Sequence, residues 1–78
     1  MIKCHLSKLM GERKLRIADV AEKTGLHRNT VALLYKETAA RVELETLNQL
    51  CKLFRCGVGE ILEYLEDNPK QDADSNGG

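Results

Sequence analysis

A chain of 78 residues has room for one small domain with a single core. Its hydrophobic share is 42%, yet Phe54, Tyr35 and Tyr64 are its only aromatics, so the core has to be aliphatic. The formal net charge of +0 conceals a split. Residues 1–41 carry nine Lys or Arg against four acids and residues 42–78 carry three against eight, so the first half attracts polyanions.

Strand signals are scarce, with few β-branched alternations and no Asn-Gly or Asp-Gly turn between apolar runs, which predicts an all-α bundle. The first helix is expected over about residues 5–14, with Leu6, Leu9 and Met10 on one face. Gly11 weakens its interior by about 1 kcal/mol relative to Ala. Met1 to Cys4 either extend that helix or form a short extended arm. A second helix covers about 17–24, with Ile17, Val20 and Ala21 inward, and stops at Thr24-Gly25, glycine being suited to a left-handed exit. A third runs from His27 or Arg28 to Lys36 over a stripe of Val31 and Leu34, and residues 37–41 read as a loop. Glu43 and Glu45 open a fourth helix, where the helix dipole favours acids. Leu44, Leu47, Leu50, Cys51 and Phe54 give it the strongest amphipathic pattern in the chain. After Arg55-Cys56-Gly57 a short fifth helix is expected over about 59–66, with Ile61, Leu62 and Leu65 inward. One domain therefore spans residues 1–66. Residues 67–78 have no periodic apolar residue and are expected to form a disordered polar tail.

Three cysteines, Cys4, Cys51 and Cys56, form no C-x-x-C pair, so a disulfide framework is not expected. Five residues is a poor same-face spacing on a helix, and both Cys51 and Cys56 sit among apolar residues as small hydrophobes. Cys4-His5 lacks further ligands at zinc-like spacing, so neither a metal nor a cofactor is expected. The start MIKCHLSKLM has no signal-peptide hydrophobic region, and no apolar run approaches the ~18 residues of a membrane span. A reducing cytoplasm is the expected location.

The second and third helices meet across about three residues at Thr24-Gly25-Leu26, the spacing of a helix-turn-helix. Ala21 is small where the helices cross, Gly25 supplies the turn, and Val20, Leu26, Val31 and Leu34 close the core between them. The outer face of the third helix is then free to lie in a DNA major groove.

The stretch IADVAEKTGLHRNTVALLYKE resembles the helix-turn-helix of the Cro and phage-repressor type, the xenobiotic-response-element (XRE) family, with Ala21, Gly25, Leu26 and Val31 at the matching positions. The following LETLNQLCKLFRCGVGEILEYLE is similar to the second half of short, stand-alone members, so the resemblance covers about residues 4–66. It implies a five-helix, lambda-repressor-like domain whose helix-turn-helix is helices two and three. It also implies base reading by the front and outer face of the third helix, at His27, Arg28, Asn29 and Leu33. Arg can grip guanine O6 and N7, and Asn adenine N6 and N7. Asn29 has the alternative of capping the helix. Leu33 stands where the family often has a polar residue; it either meets a thymine methyl or packs inward, and packing is favoured. Thr30, Lys36, Thr38 and Arg41 match positions of phosphate contact. Lys14 and Arg16 precede the second helix, whose N-terminus favours an anion. Ile17 replaces the family's frequent phosphate-binding Gln, so that contact falls to backbone N–H groups.

The resulting expectation is a sequence-specific, double-stranded-DNA-binding transcriptional regulator of the bacterial or phage kind, a repressor, acting as a homodimer. Its dimer surface is expected near Cys56, Gly57 and Val58, with the Met1–Cys4 arm as another dimer element. The alternative is a protein-binding module, such as an antitoxin or adaptor, using the same fold. An enzyme is not expected: Ser7, Ser75, His5 and His27 lack partners, no glycine loop cradles phosphate, and no small-molecule substrate is evident.

Overall fold

The computed structural model describes residues 1–66, to which every structural statement below refers. The order is β1 (Ile2–Cys4), α1 (Leu6–Glu12), α2 (Ile17–Thr24), α3 (Arg28–Tyr35), α4 (Leu44–Phe54), α5 (Val58–Ile61) and β2 (Leu62–Tyr64). The five expected helices are present, joined by a two-stranded antiparallel ribbon in which Ile2 faces Tyr64, Lys3 faces Glu63 and Cys4 faces Leu62. The expected tail, residues 67–78, lies outside the described residues.

One aliphatic cluster holds the helices together. Leu6 and Met10 of α1, Val20 and Ala21 of α2, Val31 and Leu34 of α3, Leu47, Leu50 and Phe54 of α4, Ile61 of α5 and Cys4 of β1 are all buried. The helical members recur at three- and four-residue spacings, so each amphipathic helix turns its stripe inward. Burial pushes the Cys4 thiol above its ordinary value, so it remains protonated and acts as a small hydrophobe in the cluster.

Two expectations are corrected. The fifth helix ends at Ile61 rather than continuing to 66, and Leu62 turns extended at φ −122° and ψ 142°. Residues 62–64 pair with β1 instead. The His5 N–H donates to the Ile61 carbonyl at 2.7 Å and the Leu65 N–H to the Met1 carbonyl at 2.9 Å, while Leu65 remains exposed. Local helical periodicity carries no information about a partner strand at the other end of the chain, and the arm at 1–4 supplies that partner. The second correction is Leu44, which is 83% exposed rather than part of the buried stripe. It is the first residue of α4 and projects beyond the core that begins at Thr46 and Leu47.

Four helices exit through a left-handed residue. Gly25 at φ 80° ends α2, and Lys14 (φ 57°), Glu37 (φ 59°) and Arg55 (φ 53°) follow α1, α3 and α4. After each non-glycine exit the next N–H reaches back into the helix: Leu15 to the Met10 carbonyl at 2.9 Å, Thr38 to Leu33 at 2.9 Å and Cys56 to Cys51 at 3.2 Å. This closure brings the residue after the exit against the last turn. It brings the thiols of Cys51 and Cys56 near each other despite their unfavourable spacing along a straight helix. Burial, with the neighbouring Cys51 second, raises the Cys56 thiol.

Candidate nucleic-acid interface

The turn between α2 and α3 is built by side-chain chemistry as well as by glycine. The Thr24 hydroxyl donates to the Val20 carbonyl at 2.6 Å and accepts the Leu26 N–H at 3.2 Å. Gly25 is placed by its positive φ alone, since a Cβ there would meet nothing within 4 Å. Val20 and Val31 are fully buried, Ala21 and Leu34 nearly so, and Leu26 packs against them. The inner side of α3 is thereby fixed, and its orientation follows from α2.

Its front is open. His27, Arg28 and Asn29 are all exposed. His27 is the residue at the N-cap, in extended conformation, and no side chain caps the helix. Asn29 lies inside the helix and does not cap it. The first-turn amides of α3 therefore have no side-chain acceptor and point, with the positive end of the helix dipole, toward whatever approaches. Asn29, Leu33 and Lys36 recur at four and three residues and share one outward stripe. Leu33 is 39% exposed, so the expected inward packing is corrected: it belongs to the outer face, and only its carbonyl is engaged, by Thr38. Tyr35, 42% exposed, lies two turns along the stripe that begins at Arg28.

His27, Thr30, Leu33 and Arg41 converge on one cleft of about 310 Å³ between α3, the loop after it and the start of α4. His27 and Arg28 line a second cleft on the α2 side of α3. Each cleft also holds an acid, Glu43 in the first and Glu22 in the second. Neither acid stands out in the sequence, because only folding brings α2 and α4 alongside α3. Lys14 and Arg16 are exposed before α2, and Lys36 and Thr38 are exposed after α3, away from both clefts. At the start of α2 the Asp19 carboxylate accepts the Arg16 N–H at 2.9 Å. That carboxylate already complements the helix dipole, so an anion at this terminus would meet a like charge.

Two of the nine bases in the first half are committed elsewhere. Arg13 donates to the Leu53 and Phe54 carbonyls at 3.0 and 2.9 Å, with its guanidinium 5.3 Å from the Phe54 ring centre, and closes the end of α4. Lys3 pairs with Glu37 at 3.4 Å. The Glu37 carboxylate also accepts the Cys4 N–H at 3.2 Å, which ties the end of α3 to β1. That backbone bond, with Lys3 behind it, holds the Glu37 carboxyl below the usual range. At the other candidate surface, Cys56 is half-buried, Gly57 is exposed and Val58 is 49% exposed.

Residues 5–67 match the family of Cro/C1-type helix-turn-helix DNA-binding domains. The chain belongs to that family. It is 30% identical over 59 residues to the uncharacterised HTH-type transcriptional regulator YozG of Bacillus subtilis (strain 168), a match spanning 76% of this chain and 70% of that protein. Its fold is shared with a crystal structure described as that of a candidate DNA-binding protein from Bacteroides fragilis. The TM-score is 0.69 at 16% identity, over 81% of this chain and 100% of the other. Membership makes this a DNA-binding domain of the regulator kind, and α2, the Thr24-Gly25 exit and α3 are its helix-turn-helix. No helix among the described residues is long and apolar enough to cross a membrane.

Proposed function

We propose that the protein is a sequence-specific transcriptional repressor that lays α3 in the major groove of double-stranded DNA. The observation that carries this is the division of α3 into a buried side, Val31 and Leu34, and an uncapped, exposed front, His27-Arg28-Asn29. Arg28 reads a guanine and Asn29 an adenine, each good pair being worth about 1–3 kcal/mol of discrimination. Leu33, on the Asn29 stripe, offers a methyl-sized contact to thymine. Arg41 and Thr30 hold phosphates from the cleft beside α3, with Lys36, Thr38, Lys14 and Arg16 flanking them. Two copies bind an inverted repeat with half-sites about one helical turn apart. The protein works in the cytoplasm, without a cofactor and without catalysing a reaction.

The test is selection of sites from a random duplex library, followed by titration of the selected duplex with wild type and Arg28→Ala. An enriched inverted repeat, and loss of preference at a guanine in the variant, is the expected result. No enriched sequence would overturn base reading and direct the search to a protein partner.

A further inference from the structure

Cys51 and Cys56 stand apart from the DNA-facing surface, since neither lines the two clefts beside α3. They flank the exit of α4. The Cys51 carbonyl accepts the N–H of Arg55, the left-handed residue, and also the Cys56 N–H at 3.2 Å. A closure of this kind folds the residue after the exit back onto the last turn, and its two ends are the positions whose side chains normally touch. On a helix that ran straight on, residues five apart would point roughly 140° apart around the axis. A disulfide asks for such adjacency, with Cβ atoms about 4 Å apart. Both cysteines are half-buried, within reach of a small solute, whereas Cys4 is buried. After burial, Cys51 is the strongest influence on the Cys56 thiol, while no cysteine acts on Cys4. Arg13, which closes the same helix end through the Leu53 and Phe54 carbonyls, sets a positive charge near Cys56 against the negative charge of Glu60.

We propose that Cys51 and Cys56 form a reversible oxidation site, a dithiol that a peroxide converts into an intramolecular disulfide across the α4 exit. One thiolate attacks a peroxide oxygen and the O–O bond breaks. That sulfur becomes a sulfenic acid, and the leaving oxygen takes up the released proton as water or an alcohol. The second thiol then loses its proton, its sulfur bonds to the sulfenic sulfur, and the displaced hydroxide takes that proton as water. Two thiols are oxidised and one peroxide is reduced. A thiol reductant reverses the bond by exchange through a mixed disulfide. The packing at this helix end needs only two small apolar side chains; two sulfurs facing each other add a route that stops oxidation at a recoverable stage. The bond would tie the last turn of α4 to the residue before the N-cap of α5. None of this depends on how the protein reads DNA.

The test treats the full folded chain with hydrogen peroxide, alkylates free thiols in denaturant and digests with trypsin. Cleavage after Arg41, Lys52, Arg55 and Lys70 puts Cys51 in residues 42–52 and Cys56 in residues 56–70, so only a disulfide holds these peptides together. The expected result is that linked pair, separated by dithiothreitol, with Cys4 alkylated and no linkage between chains on a non-reducing gel. Circular dichroism should show the oxidised chain melting higher than the reduced one, because the cross-link restricts the unfolded chain. Cys51→Ser and Cys56→Ser should each abolish the linked pair and leave the remaining thiol to oxidise further, to sulfinic acid. The wild-type peptide map decides the matter even where a variant folds poorly. Sulfinic acid at Cys51 or Cys56 in wild type, disulfides between chains, a bond to Cys4, or an oxidised chain that melts lower than the reduced one would overturn the proposal.

Discussion

Arg28 leaves the first turn of α3 exposed and without an ion pair among the described residues, so its five donors are available to a guanine edge. Arg28→Ala should weaken the selected site at least about tenfold. The variant should bind unrelated duplex nearly as well as wild type does and melt at the wild-type temperature. Fluorescence anisotropy on the two duplexes separates these quantities. Glu37 contributes in a different way, by joining the end of α3 to β1. Its folded-state pKa is depressed, so its stabilisation is fully present above the ordinary glutamate range and is lost as pH falls through the lowered value. Glu37→Gln should therefore melt lower than wild type at pH 7, and the gap should close in strongly acidic buffer. Thermal melts at the two pH values would show it, and a gap that widens on acidification would refute the linkage. The αL conformation of Glu37 is legible only in the fold, because sequence signals for such exits point to glycine or asparagine.

At the scale of elements, each helix end is closed by a particular device. The α4 exit places Arg55 at φ 53°, where a non-glycine residue is strained by roughly 1–2 kcal/mol. Arg55→Gly relieves that strain but gives the unfolded chain more freedom, so a net gain of about 0.5–1 kcal/mol is expected in urea unfolding. The same helix end depends on Arg13, whose two bonds to terminal carbonyls should make Arg13→Ala destabilising by about 1–2 kcal/mol. Neither effect should change which DNA site is preferred. The HTH itself was legible element by element, because Ala21, Gly25, Leu26 and Val31 carry their packing reasons locally. The last element was not: Leu62-Glu63-Tyr64 continues a helical pattern in sequence but meets a strand in space. Leu44 was misplaced for a related reason, since periodicity reports a face and not where along the helix the core begins.

For the whole molecule, the +5 charge of the first half overstates the DNA-facing charge, because Arg13 and Lys3 are spent on internal contacts. Binding should fall with salt, and Lys36→Ala should reduce the slope of log affinity against log salt by about one, uniformly across sequences. The slope is read from titrations at several salt concentrations, and an unchanged slope would remove Lys36 from the contact set. The acids Glu22 and Glu43 beside α3 add local repulsion that a count by halves of the chain cannot register.

The sequence by itself determined the number of helices, the helix-turn-helix and the identity of the polar front of α3. These follow from patterns a few residues long, in which propensity, turn chemistry and burial agree. Only the tertiary structure decided that the first and last segments form a ribbon, that Leu33 faces outward, that Arg13 and Lys3 are engaged by other parts of the molecule, and that Cys51 meets Cys56. Each of these depends on a residue distant in the chain or on a left-handed exit without glycine, and neither leaves a mark in local periodicity.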